Sequence, residues 1–184
     1  MRALVVLLAG TAALAWAAGE SQPYTLEYPG VVFEWLPSQL ASPVAGTLDE
    51  ESGSVASPAT TDGSEYHFCY WKEDIPLGEA RETWMETRLP SVLPAGFGDH
   101  LQLGDLNWTE GSQLSEYRNS RSLGLVLMVN FNVIDEAGSV LGRGRAYGAF
   151  REGYSLLLYC IAPTEASFDA VANLDGIIAT AHLE

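Results

Sequence analysis

The chain has 184 residues, 24 acidic and 9 basic side chains, a net charge of −15, two cysteines and a hydrophobic fraction of 47%. That apolar content suffices for one ordinary core and excludes a disordered chain, a collagen-like fibre and a disulfide-dense miniprotein. The acidic excess excludes nucleic acid as a partner: each phosphate would be repelled, and no run of Lys or Arg interleaved with aromatics offers a counterion-releasing patch.

The first element is a targeting segment. Arg2 precedes an uncharged run from Ala3 to Gly19, and Ala15-Trp16-Ala17 provides a small-residue exit. This is the layout of a secretory signal peptide, so residues 1–17 are expected to be removed and residues 18–184 to form a single α+β domain in a secreted or periplasmic protein. The run is short for a membrane span, and Glu20 follows it rather than basic stop-transfer residues. No cysteine follows it to accept a lipid, so no stable membrane span or anchor is expected after cleavage. Cleavage takes away Arg2 alone among the charged residues and leaves a net charge of −16, which disfavours anionic membrane surfaces and favours solubility.

Turn-forming residues dominate Asp49 to Gly63, which reads as hairpin turns joining short strands, and Glu65 to Trp71 resumes a strong strand pattern. Pro76 to Val92 follows, with Leu77, Ala80, Trp84, Leu89 and Val92 near helical spacing, and it ends before Pro94 and Gly96.

A three-stranded antiparallel meander is expected over Leu123 to Ala162. Leu123, Leu125, Leu127, Val129, Phe131 and Val133 occupy alternate positions and commit one face of the first strand to the core. After the turn Asp135-Glu136-Ala137-Gly138, the strand Val140 to Phe150 places Gly142, Gly144, Ala146 and Gly148 on one face and Leu141, Arg143, Arg145 and Tyr147 on the other. Pairing Ile134 with Ser139 sets Phe131 opposite Gly142, Val129 opposite Gly144 and Leu127 opposite Ala146. Large side chains then cover small ones, whereas a one-residue slip would press both arginines against Leu127 and Val129. A three-residue link, Arg151-Glu152-Gly153, would pair Phe150 with Tyr154 and bring Leu156, Leu158 and Cys160 to the core face. The glycine-rich trough calls for a helix packed close to the sheet. The last segment supplies a second helix, with Pro163-Thr164 as its cap and Phe168, Val171, Leu174, Ile178 and Ala181 as its apolar repeat.

The fold class this order predicts is α+β, an antiparallel β-sheet with helices packed on it. The opening Tyr24-Thr25-Leu26-Glu27-Tyr28-Pro29-Gly30, the aromatic strand Tyr66-His67-Phe68-Cys69-Tyr70-Trp71, the helix from Pro76, the long meander and the closing helix Ala166 to Leu183 together resemble the PsbP/Mog1-like α/β/α sandwich. That resemblance implies a mostly non-catalytic group: extrinsic photosystem II subunits, a Ran-binding nuclear protein and small secreted bacterial proteins, the last being the nearest in kind. It transfers no functional residue to any position here.

Chemistry-bearing residues are sparse. Cys69 and Cys160 either form a disulfide, which would close a loop of about 90 residues and stabilise by roughly 4 kcal/mol, or remain buried thiols. They stand too far apart for a Cys-x-x-Cys redox pair. His67, Cys69 and Cys160 lack zinc-site spacing, Asp49-Glu50-Glu51 lacks a calcium loop, and Gly142-x-Gly144 lies inside a strand, so neither metal nor cofactor is expected. No Gly-x-Ser-x-Gly elbow accompanies His67, His100 or His182, and no catalytic residue is assigned. The candidate binding surface is the other side of the meander: Met128, Asn130 and Asn132 beside Arg143, Arg145 and Tyr147, with Tyr159 and Ile161 on the third strand. The two arginines either hold a carboxylate or acidic partner segment, or pair with the chain's own acids. Asn107-Trp108-Thr109 fits a glycan acceptor triplet. The expected function is non-enzymatic binding of another protein or an envelope component. The alternatives are a small-ligand carrier with a pocket between sheet and helix, and an extracellular hydrolase.

Overall fold

The computed structural model describes residues 22–26, 30–35, 44–48, 50–57, 60–75, 79–93, 101–110, 123 and 125–183. The signal segment, Leu77, the Pro94 to His100 connector and Gly124 lie outside them. In chain order the strands are β1 Gln22–Leu26, β2 Val31–Trp35, β3 Val44–Leu48, β4 Ser52–Ala56 and β5 Glu65–Trp71. Helix α1, Glu79–Val92, follows, then β6 Leu101–Glu110, β7 Leu125–Ile134, β8 Val140–Arg151 and β9 Tyr154–Pro163. Helix α2, Ser167–Thr180, and the short β10, His182–Leu183, close the order.

Among the described residues, seven strands form one antiparallel sheet in the order β3-β4-β5-β9-β8-β7-β6, and β1-β2-β10 form a second. The protein is therefore α+β. Strand β9 is the middle of the large sheet, and its residues 155–162 are buried without interruption. That explains its composition: Ser-Leu-Leu-Leu-Tyr-Cys-Ile-Ala has no polar alternation because both of its faces are covered. Strand β7, next to the edge, keeps the alternation, with Val129, Phe131 and Val133 buried and Asn130 exposed.

Each face carries its own core. On one, Leu127, Val129, Phe131, Ala146, Leu157, Tyr159 and Cys69 pack with Trp84, Met85 and Leu89 of α1. On the other, Tyr66, Phe68, Tyr70, Tyr147, Leu156, Leu158 and Cys160 pack with Ala170, Leu174 and Ile177 of α2, and Val31 of β2 joins them. The glycine trough is filled as expected: a Cβ at Gly148 would lie 3.1 Å from the Met85 sulfur. Trp84 anchors α1, meeting Trp71 and Phe150 edge to face at 5.5 and 5.2 Å, while its indole N–H donates to Glu73.

The meander forms, but its registers differ from expectation. Phe131 faces Gly144, Val129 faces Ala146 and Leu127 faces Gly148, two residues along from the predicted partners. Two single steps add up to this: the turn sets Ile134 opposite Val140 instead of Ser139, and a bulge then pairs Val133 with Gly142, leaving Leu141 unpaired. An even offset conserves parity, so large-over-small packing survives with different partners.

The β8–β9 link has the opposite consequence. Arg151 pairs with Tyr154 across a two-residue turn, Glu152-Gly153, with Gly153 at φ +82°. A link one residue shorter than predicted inverts every side chain of β9. Leu157, Tyr159 and Ile161 join the Val129 face, whereas Leu156, Leu158 and Cys160 lie on the Arg145 and Tyr147 face.

The helices also shift. Pro76–Gly78 fall outside the described residues, Ala80 is exposed, and Met85 takes the buried place in α1. In α2 the N-cap position is Ala166 rather than Thr164, and Phe168 is 83% exposed. The inward stripe runs Ala166, Ala170, Leu174, Ile177, Ile178 and Ala181, because alanines let the first turns approach the sheet where Phe168 would hold them off. No helix among the described residues is long and apolar enough to cross a membrane.

Candidate binding surface

Strands β7 and β8 bring the polar residues together by register. Asn130 faces Arg145, Asn132 faces Arg143 and Met128 faces Tyr147, so these side chains share one side of the sheet. The row through Arg143 continues to Gln102 of β6, which faces Asn132 and is exposed. Tyr159 does not belong to this surface, because the inverted β9 directs it to the opposite face. There it is fully buried, stacks on His67 with ring centroids 4.6 Å apart, and donates its hydroxyl to the Val92 carbonyl at 2.9 Å. Burial pushes its pKa upward, so the hydroxyl stays a donor.

The two arginines have different fates. Arg145 reaches Asp175 of α2, its Nη1 lying 3.0 and 2.7 Å from the two carboxylate oxygens, and its Nε donates to Asn130 Oδ1 at 2.8 Å. Tyr147 donates to the same carboxylate at 2.7 Å. Burial by itself would lower the Arg145 pKa, but the bonds and charge of Asp175 outweigh it and the net direction is up. Tyr147 is pushed up as well, first by burial and then by the Asp175 carboxylate. Arg145 is thus held by the chain's own acid. Arg143 is exposed and has no hydrogen bond or ion pair among the described residues, leaving its guanidinium open to solvent.

Asp175 was not foreseen. It lies 30 residues from Arg145, and its distance from the meander depends on how α2 docks. The one signal was compositional: an acid between Leu174 and Ile177, at the margin of an apolar helix face, invites a partner from the element beneath.

The cysteines do not form a disulfide. Both are buried free thiols on opposite sides of the sheet, Cys69 facing α1 and Cys160 facing α2. The β9 inversion separates them, since Cys69 faces Leu157 and Cys160 faces Tyr66. Burial pushes both thiols up to about 12. Neither should react with an aromatic disulfide reagent in the native protein, and both should react once denaturant is added. Rapid native labelling of either thiol would contradict this burial.

His67 Nε2 donates to the Glu65 carboxylate at 3.2 Å, and His182 Nδ1 lies 2.9 Å from the Thr180 carbonyl. No cluster of three or more metal-ligating side chains occurs among the described residues. Burial lowers the His67 pKa from 6.5, against the upward pull of Glu65. The folded state therefore binds that proton less readily than the unfolded chain. The stabilisation is complete above about pH 6.5 and is lost as pH falls through the lower folded value. In urea melts from about pH 7 down to about pH 5, the wild type should lose more stability than His67→Gln, and parallel curves would refute the assignment.

The fold and surface together define an antiparallel α+β protein with helices on both faces of its large sheet and a polar strip on three adjoining strands. No protein-family model and no curated protein matches the chain. Among solved structures, a protein of Bacteroides thetaiotaomicron VPI-5482, determined at 1.50 Å resolution, is similar at 9% identity with a TM-score of 0.47. The match covers 89% of this chain and 48% of that one, so the chain spans about half its length.

Proposed function

We propose that the chain is an exported, non-enzymatic binding module of the PsbP/Mog1-like kind that acts by contact with another protein or an envelope component. The observation that carries this reading is the open guanidinium of Arg143, set in the row Gln102–Asn132–Arg143 of a chain with net charge −15. Asp175 holds Arg145 and stiffens the strand beside it, leaving Arg143 and the neighbouring amides to meet a carboxylate on the partner. The likeness to PsbP/Mog1-like proteins draws support from the order of layers, with α1 and α2 on opposite sides of one antiparallel sheet.

Against the carrier alternative stand Met85 and Leu89, both fully buried, which fill the space between α1 and the sheet. Against a hydrolase centred on His67 stands its engagement with Glu65 and Tyr159. The test compares mature wild-type protein with Arg143→Glu, matched for melting behaviour, in crosslinking capture from the envelope fraction. A partner captured by the wild type and lost with the variant supports the reading; identical capture profiles overturn it. Recovery of the native protein with Ala18 at its amino terminus tests export.

A further inference from the structure

A second feature lies on the other side of the sheet from Arg143. Where β5 and β9 meet the start of β8, a cleft of ≈ 170 Å³ opens between Glu65, Leu141, Gly142, Ile161, Ala162 and Pro163. The bulge shapes it: Leu141, the extra residue of β8, is 56% exposed and forms one wall instead of entering the pairing. Gly63 and Gly142 also line it, and Ile161 and Pro163 supply further aliphatic surface.

Among the described residues, Glu65 is the charged one that lines the cleft. Its carboxylate oxygen Oε2 lies 3.2 Å from His67 Nε2, and the His67 ring is held flat against Tyr159, which orients the carboxylate. The imidazole does not cancel that negative charge at neutral pH, because burial keeps it from protonating. The cavity has room for roughly five or six water-sized groups, matching one short aliphatic chain.

We infer that this cleft takes a primary ammonium on an aliphatic stem, with the stem against Leu141, Ile161 and Pro163 and the cationic head on Glu65. Aliphatic walls ending in one carboxylate match the two parts of such a chain, a hydrocarbon that leaves water and a charge that gains a paired hydrogen bond. An anionic head would be repelled and an apolar one would desolvate the carboxylate with no bond in return, and the −15 charge of the chain draws cations toward it. A lysine of a partner protein and a free alkyl diamine share this chemistry.

Amide spectra of the full mature protein, titrated with acetyl-Gly-Lys-Gly-amide, its norleucine counterpart and 1,5-diaminopentane, test the inference. The lysine peptide or the diamine should shift the Glu65, Gly142 and Ile161 amides saturably, and the norleucine peptide should not. Tighter binding of the peptide assigns the cleft to a partner's lysine, and tighter binding of the diamine assigns it to free amines. Glu65→Gln should weaken the response about tenfold or more, and Leu141→Ser, at an exposed position, should weaken it several-fold. The inference is overturned if neither amine shifts these amides, if norleucine does so equally, or if a folded Glu65→Gln or Leu141→Ser protein binds as the wild type does. Because Arg143→Glu leaves this side of the sheet untouched, failure here and failure of the Arg143 surface are separate outcomes.

Discussion

Gly144→Ala is expected to destabilise the protein by about 3 kcal/mol or more, at the upper end of overpacking effects. A Cβ at this position would lie 2.1 Å from the Cys160 carbonyl oxygen and 2.4 Å from the Phe131 ring. The ring can rotate away, but the carbonyl belongs to the central strand β9 and moves only with the ladder that pairs it. Shrinking Phe131 should therefore rescue little of the loss, and Phe131→Leu combined with Gly144→Ala should remain well below wild type in urea melts. Gly176→Ala is the counter-case. Gly176 is an exposed residue inside α2 with no atom near its missing Cβ, so alanine should stabilise the protein by about 1 kcal/mol through helix propensity. Equal effects of the two substitutions would mean that the close approach of Gly144 to β9 is not what requires glycine there.

Asp175→Ala should cost about 2 kcal/mol. The carboxylate accepts from Arg145 and from the Tyr147 hydroxyl, and its removal strands a partly buried cation and a phenol together. A fully buried pair broken on one side would cost about 3–5 kcal/mol. Here the Arg145 and Asp175 side chains are 21% and 30% exposed, so water partly replaces the lost partner and the smaller value applies. Asp175→Asn, which keeps an acceptor for Tyr147, should cost about half as much. A double-mutant cycle with Arg145→Met should return a coupling of at least about 1 kcal/mol. Asp175→Ala within about 0.5 kcal/mol of wild type would sink the claim that this contact ties α2 to the sheet.

The two substitutions probe different levels of the fold. Gly144 is a matter of strand against strand, visible in the sequence as small residues alternating opposite large ones. Asp175 is a matter of helix on sheet, where the contact spans 30 residues and no local pattern announces it. The polar strip occupies an intermediate place. Asn130, Asn132, Arg143, Arg145 and Tyr147 are correctly grouped by the period-two pattern of β7 and β8, because alternate residues on paired strands must share a face. Which arginine stays open is decided by α2, whose Asp175 lies over Arg145 and leaves Arg143 to solvent.

Periodicity and turn residues alone determined the antiparallel meander, the two helices and the α+β class, since these follow from which neighbours along the chain can bury apolar faces together. Tertiary structure decided the rest through small offsets with large consequences. The turn before β8 and the bulge at Leu141 each moved that strand by one residue, together an even step that conserved its faces, while a turn one residue shorter inverted β9 and parted Cys69 from Cys160. Side-chain direction in a strand reverses with each residue, so a single position in a turn outweighs the hydrophobic pattern of the strand that follows it.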